Sequence, residues 1–269
     1  MMQEAVEQRV SVRTYEKRPL DEEEEKAIKN MLRAHERYRG PFSHDFSFFF
    51  LENHGLFGPH AKVGTYGFIK NAPAFIGGTC EDTFEALVDF GFVFEHIILE
   101  ATRKGFGTVW LGGSFKREAF KAFKDEGTFI PAVSPIGTPA GKASLRERII
   151  RRAAKARKRK PFSELFFLED FNRSLPHSHA FSEALEWVRA APSAHNKQPW
   201  RILITGNHVR FYVNRDDKLR FSYDMQALDI GIAIAHFTLA MRHFGREVTF
   251  LSESVGSSPF EYVLSARVD

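Results

Sequence analysis

The stretch Ala191-Pro192-Ser193-Ala194-His195-Asn196-Lys197-Gln198-Pro199-Trp200 joins an apolar helix pattern over residues 181–189 to a strand pattern over Trp200–Thr205. Two prolines, a serine and an asparagine in so short a span take the backbone out of the helix and expose free polar groups. Pro192 removes one donor and disfavours helix at Ala191. Ser193, Asn196 and Gln198 are short polar groups on a loop between rigid elements, where sites are commonly built. Taken alone, the stretch reads equally as a plain connector. The rest of the chain has to decide.

The chain has 269 residues, 43% of them hydrophobic, enough for one well-buried core or two smaller ones. Its 28 phenylalanines predict a phenylalanine-rich interior. A mean hydropathy of -0.30 and the lack of a long uncharged apolar run argue against a membrane span. The opening residues MMQEAVEQRVSVR carry no apolar signal-peptide core. One cysteine, Cys80, leaves no partner for an internal disulfide and fits a reducing cytoplasm, the expected location. A net charge of +4 suits an anionic ligand, a nucleic acid or solubility alone. No Cys/His set has metal-ligand spacing.

Working outward, helices are expected over residues 22–36, 85–104, 116–125, 181–189 and 229–244, and strands over 45–52, 72–77, 107–111, Trp200–Thr205, 209–213, Val248–Leu251 and 262–268. The helices over 85–104 and 229–244 are apolar nearly all round, which marks buried helices. The run SLRERIIRRAAKARKRK over 144–160 is strongly basic.

Those two helices share one pattern. Asp89-Phe90-Gly91, His96, Leu99 and Gly105 recur as Asp229-Ile230-Gly231, His236, Leu239 and Gly245, each 140 residues later. The strands that follow match in character, and residues 46–54 match 200–208 more weakly. Three successive elements in one order indicate an internal repeat. The expected fold is α+β: two similar halves with mixed or antiparallel sheets flanked by helices, residues 1–160 and 161–269, forming an intramolecular pseudo-dimer. The halves are unequal. Gly40-Pro41-Phe42-Ser43 stands where the second half has Ala194-His195-Asn196-Lys197, and Arg9-Val10-Ser11-Val12-Arg13 has no clear counterpart near 171–179. One composite site is expected in place of two equal ones.

These motifs resemble the FMN-dependent nitroreductase family. Arg9-Val10-Ser11-Val12-Arg13 stands where the family has Arg-Arg-Ser-x-Arg, and Ala191 to Trp200 matches Ala-Pro-Ser-x-x-Asn-x-Gln-Pro-Trp residue for residue. Gly105-Phe106-Gly107-Thr108-Val109-Trp110, Gly137-Thr138-Pro139 and Arg157-Lys158-Arg159-Lys160-Pro161 are similar to weaker family features. Family members form intertwined homodimers with FMN contacted by both subunits. Here the Pro-Ser-Asn loop lies about one domain after the arginine segment, which looks like a single-chain version of that dimer. Val10 replaces the usual second Arg or His and puts one phosphate contact in doubt.

The resemblance implies an FMN site. Arg9, Val10, Ser11 and Arg13, with Arg157 and Arg159 from the basic run, would serve the phosphate, for which Arg is suited by its fork geometry. Pro192, Ser193, Ala194, Asn196 and Gln198 would approach the ring from the second half, with Trp110, Leu111, Gly112 and Gly113 nearby. On the residues alone, Arg9 and Arg13 read as solvated helix charge and Trp110 as a core aromatic; the resemblance favours binding. His96 and His236 read as structural residues of the interface between the halves, and His195 as a solvent-facing loop position. No catalytic side chain is assigned. The implied activity is ping-pong hydride transfer from NADH or NADPH through FMN to a nitroaromatic, quinone or similar small-molecule acceptor, by a monomeric pseudo-dimer or weak homo-oligomer. An FMN-binding protein without turnover, and a basic protein binding nucleic acid through residues 146–160, are the competing readings; no nucleic-acid motif supports the latter. Substrate choice would rest on residues 56–70 and 114–127.

Overall fold

A computed structural model describes residues 1–53, 69–141, 158–216 and 223–269. Most of 56–70, and the basic run up to Arg157, lie outside the described residues. The fold is α+β, as expected. Helices α1 (Met2–Gln8) and α2 (Glu22–His35) precede strands β1 (Ser47–Glu52) and β2 (Ala74–Thr79). The long helix α3 (Phe84–Arg103) leads to β3 (Gly107–Thr108) and β4 (Val133–Gly137). A short helix α4 (Phe162–Leu165) and strands β5 (Phe166–Leu168) and β6 (Asp170–Ser174) follow. The chain then runs through α5 (Ser182–Ala190), β7 (Trp200–Thr205), β8 (His208–Val213), the long helix α6 (Met225–His243), β9 (Val248–Leu251) and β10 (Glu261–Val268).

The strands form two sheets, β1-β2-β4-β3 and β6-β5-β7-β8-β10-β9. Pairing is antiparallel throughout except between β5 and β7. The succession helix, two strands, long helix, two strands occurs once from α2 to β4 and again from α5 to β10. The order β1-β2-β4-β3 has its counterpart in β7-β8-β10-β9.

The two long helices pack against each other more extensively than any other pair of elements among the described residues. Glycine makes this possible. A methyl group on Gly91 would overlap the Leu228 carbonyl, and one on Gly231 would overlap the Val88 carbonyl. Both backbones therefore touch where neither has a side chain. Thr83 caps α3 by accepting from the Ala86 N–H, and Asp224 caps α6 by accepting from Gln226 and Ala227. Gly105 and Gly245, at φ of 86° and 70°, release both C-terminal ends in the left-handed conformation. The main hydrophobic cluster draws on both helices and both sheets.

Four expectations need correction. The second long helix begins at Met225, not Asp229, because Asp224 supplies the cap and Asp229 lies inside the helix. The strand over 107–111 is a two-residue ladder, since the Val109 N–H donates to the Ser134 hydroxyl instead of a carbonyl. Residues 116–125 hold a 3-10 helix, Arg117–Phe123, not an α-helix. Strands β5 and β6 were not anticipated: they are too short, and β6 too exposed, to show an alternating pattern. No helix among the described residues is long and apolar enough to cross a membrane.

Candidate functional site

A cavity of about 520 Å³ opens where the N-terminal segment, the end of β3, helix α6 and the loop over 191–200 meet. Arg9 caps α1, and the chain then runs extended beside β3, with Ser11 bridging Thr108 and the Val12 N–H donating to the Thr108 carbonyl at 2.8 Å. Alternation along extended chain sends successive side chains to opposite sides. Arg9, Ser11 and Arg13 accordingly line the cavity. Val12 is buried in a separate cluster, and Val10 is 42% exposed and not part of the lining.

Arg9 is almost fully buried, 4.0 Å from the Glu95 carboxylate. Burial lowers its pKa, and Glu95 opposes that shift. Arg159 reaches the same cavity from the end of the basic run. Its pKa is lowered by burial first and then by repulsion from Arg9 and Arg189. Two guanidinium groups, one with its side chain buried and one half-buried, thus repel one another, an arrangement that an anion relieves. Arg159 is steered by donating to Asn196 Oδ1 at 3.2 Å and to the Ala190 carbonyl at 2.8 Å. Arg157 lies outside the described residues.

The opposite wall is the loop with which the sequence reading began. Pro192, Ser193, Ala194, His195 and Asn196 line the cavity. His195, Asn196 and Gln198 have φ of 50°, 55° and 48°. Left-handed backbone at non-glycine positions costs energy and persists only where the surroundings impose it, frequently at functional sites. The constraints are visible. The Ser193 hydroxyl accepts from the Gln198 N–H at 2.9 Å, and Asp229 Oδ1 accepts from the Ala194 N–H at 2.9 Å. Gln198 itself is buried behind the wall, where its Oε1 accepts from the Lys160 N–H at 2.9 Å. It therefore fixes the basic segment against the loop and does not line the cavity.

Trp110, Leu111, Gly112 and Gly113 complete the side that follows β3. The Trp110 Nε1 donates to Glu95 Oε2 at 2.8 Å. Glu95 Oε1 lies 3.0 Å from His236 Nε2, and His236 Nδ1 lies 2.9 Å from the Trp187 carbonyl. His236 is thus a structural tie across the helix pair, as expected. His96 differs: among the described residues its hydrogen bond stays within its own helix, to the Phe92 carbonyl at 2.8 Å. Gly112 passes so close to Met225 and Tyr223 that a Cβ would overlap both side chains, whereas Gly113 faces open space.

Glu95, Asp229, Met225, Leu228 and Ile232 were missed as site residues. The apolar three are indistinguishable in sequence from core. Glu95 carried one weak signal, an acid between Phe94 and His96 in the apolar middle of a helix whose other acids are Glu85, Asp89 and Glu100. Asp229 is 3% exposed and lines the cavity. Burial raises its pKa well above the ordinary value, and its Oδ2 has no hydrogen-bond partner among the described residues. Among the described residues no cluster of His, Cys, Asp and Glu could hold a metal ion.

Residues 1–241 match the family model described as "Putative TM nitroreductase". A "putative nitroreductase" of Thermotoga maritima shares the fold at a TM-score of 0.62, with 24% identity over 99% of this chain and 92% of that one. Two shorter chains were solved with FMN. A "putative nitroreductase" of Desulfovibrio desulfuricans is 18% identical at a TM-score of 0.42, covering 55% of this chain and 94% of its own. A "nitroreductase" of Bacteroides fragilis is 19% identical at 0.41, covering 54% and 91%. No curated protein matches the chain.

Proposed function

This chain belongs to the nitroreductase family, and on that basis we propose that it is an FMN-dependent oxidoreductase holding one FMN in the cavity between the arginine segment and the Pro-Ser-Asn loop. The observation that carries the reading is the convergence of Arg9, Arg13 and Arg159 on one cavity with a strained polar loop facing them and apolar walls between. The residues fit the cofactor's chemistry. The mutually repelling guanidiniums of Arg9, which is buried, and Arg159, which is half-buried, suit a phosphate dianion, with the Ser11 hydroxyl beside them. Pro192 to Asn196 offer backbone and amide groups, and Trp110, Leu228 and Ile232 offer flat apolar surface. The volume falls within the range of about 300–1,000 Å³ usual for small-molecule sites. When bound, FMN supplies the redox chemistry, a ping-pong cycle from NADH or NADPH to a nitroaromatic, quinone or related acceptor. The protein's own task is to hold, orient and partly desolvate it.

The chain is further read as two nitroreductase-like halves, 1–160 and 161–269, that do within one molecule what two subunits do in the family. Three features support this: the repeated succession of elements, the matching strand orders and the reciprocal glycine contacts. Each contact maps onto the other by the 140-residue spacing that separates Gly91 from Gly231 and Val88 from Leu228. One composite site then follows, because the arginine segment belongs to one half and the loop to the other. Monomer or weak homo-oligomer is the corresponding assembly, and a cytoplasmic location suits a nicotinamide-driven reaction.

The visible absorption spectrum tests the cofactor. Purified protein is expected to be yellow with one FMN per chain; colourless protein that takes up no added FMN, or a ratio of two, contradicts the reading. Oxidation of NADH or NADPH with a panel of quinones and nitroaromatics tests turnover. Bound FMN with no oxidation across the panel leaves a binding protein.

A further inference from the structure

A second cavity, of about 530 Å³, lies on the other side of the helix pair. It is bounded by Tyr38 and Arg39 after α2, by Phe92 and His96 of α3, by the C-terminal end of α6 and by β9. Its position is that of the first cavity in the other half. Phe92 corresponds to Ile232 of the first cavity, and Phe250 to Trp110, at the same 140-residue spacing. Tyr38 and Arg39 precede β1 as Pro192 and Ser193 precede β7. One element differs. In the first half residues 9–13 run along the β3 edge, whereas β9 ends its sheet with β10 as its one neighbour among the described residues. The second cavity is the space that such a segment would cover.

Its chemistry is its own. Arg39, Arg242 and Arg246 bring three guanidiniums against one carboxylate, that of Glu247. Arg39 pairs with Asp45. Arg242 has no ion pair among the described residues, and Arg246 has only the Phe181 ring, 6.0 Å away. Rings supply the floor: Phe92 to His96 at 4.6 Å between centroids, His96 to Tyr38 at 5.7 Å, Phe92 to Phe250 at 6.2 Å. The His96 Nδ1 faces the Phe92 carbonyl, so it carries a proton and the neutral ring keeps Nε2 as an acceptor. Burial pushes the His96 pKa down to about 4, which keeps the ring neutral.

We propose that this cavity is a second ligand site, distinct from the flavin cavity, that binds a small aromatic acid bearing a ring hydroxyl. The carboxylate meets Arg242 and Arg246, the ring lies on Phe92, Tyr38 and Phe250, and the hydroxyl donates to His96 Nε2. Charge-assisted contacts to guanidinium groups supply most of the affinity, and ring contacts select an aromatic ligand over a bare anion. FMN is not its ligand, because no buried arginine lines it.

Titration calorimetry with 4-hydroxybenzoate tests this, on protein with and without added FMN. Arg242 and Arg246 are both exposed, so Arg242→Glu/Arg246→Glu leaves the fold intact, which circular dichroism checks. Saturable binding that persists with FMN and weakens about tenfold or more in the double variant is expected, as is binding at least about tenfold weaker for inorganic phosphate, which has no ring. A second variant, His96→Leu, is expected to lower affinity for 4-hydroxybenzoate but not for benzoate. The proposal is overturned by absent saturation, by equal affinity in the double variant, by phosphate binding equally well, or by displacement on adding FMN. Apart from displacement, these outcomes are read on protein without FMN, so failure here and failure of the flavin reading remain separate.

Discussion

The connections that lead from α2 into β1 and from α5 into β7 make an instructive pair. Both are held by an aspartate on a long central helix, Asp89 over residues 40–44 and Asp229 over residues 191–200. Asp89 is saturated. It accepts from the Phe42 N–H and His44 N–H, each at 2.9 Å, and lies 3.0 Å from His44 Nδ1. Gly40 packs so close that a Cβ there would overlap the carboxylate. Asp229 has one donor, the Ala194 N–H, and an Oδ2 with no partner. The first loop is closed onto its aspartate, and the second stands away from its own and leaves a cavity. Equivalent residues thus become a structural clasp or a site wall according to how many donors the loop returns. Buried polar groups are satisfied almost everywhere in folded proteins, so an exception is informative.

Breaking the clasp should cost more than breaking the wall. Asp89→Ala removes three hydrogen bonds, two of them from half-buried backbone donors, and is expected to destabilise the protein by about 4 kcal/mol, whereas Asp229→Ala, with one donor to lose, costs about 1 kcal/mol. Denaturant unfolding measures both, and equal losses would remove the distinction. Gly40→Ala comes next, at about 3 kcal/mol, because the added methyl meets the aspartate's own backbone and carboxylate. Ser193→Ala, in the loop that faces the cavity, is expected to change thermal stability by less than about 1.5 kcal/mol.

The cavity side should respond in ligand affinity. Asn196→Ala removes the acceptor that steers Arg159, and Arg159→Ala removes the guanidinium itself. Each is expected to weaken FMN by about tenfold with melting temperature nearly unchanged. Their effects should not add, since they share one hydrogen bond. Additive losses measured by fluorescence titration would show that Asn196 acts alone.

The smallest expected effect is on pH. Burial holds the Asp229 carboxyl protonated above the usual carboxylate range, so the folded chain keeps a proton that the unfolded chain releases above about pH 4. Stability contributed by that proton is present at low pH and is lost as pH rises towards the native pKa. Asp229→Asn has no proton to lose, so its melting temperature should gain on wild type between pH 4 and 8. Asp89 is also raised by burial, but its hydrogen bonds pull it back, so Asp89→Asn should change the slope less. Parallel curves for wild type and Asp229→Asn would mean that the carboxyl is ionised throughout.

Much of the fold was legible because its signals are local. The two long helices announced themselves by apolar residues on every face, and their glycines and aspartates recurred at one spacing. Gly105 and Gly245 ended both helices as their left-handed φ requires. Strands β5 and β6 were invisible because short strands in a sheet's outer positions owe their structure to the neighbour they pair with, here β7. The site divided the same way. Arg9, Ser11 and Arg13 were named together from the family resemblance, although they read as helix charge and lie on an extended segment. Val10 could not be separated from them until its direction was known. Gln198 sits in the same loop as Asn196, yet its side chain turns inward to Lys160.

By itself the sequence determined the class of fold and the two buried helices, because each rests on spacing, propensity and turn chemistry within a few residues, while the arginine segment and the loop from Ala191 to Trp200 stood out through their resemblance to a known family. Only the tertiary structure decided what those pieces do together. It brought Arg9 and Arg159 into one cavity, set Glu95 beneath Trp110 with His236 across the helix pair, and left Asp229 one donor where Asp89 has three. Those outcomes depend on contacts that range from 15 positions, Glu95 to Trp110, to 141 positions, Glu95 to His236, and the charge and burial they create are properties of the packed chain and of no segment within it.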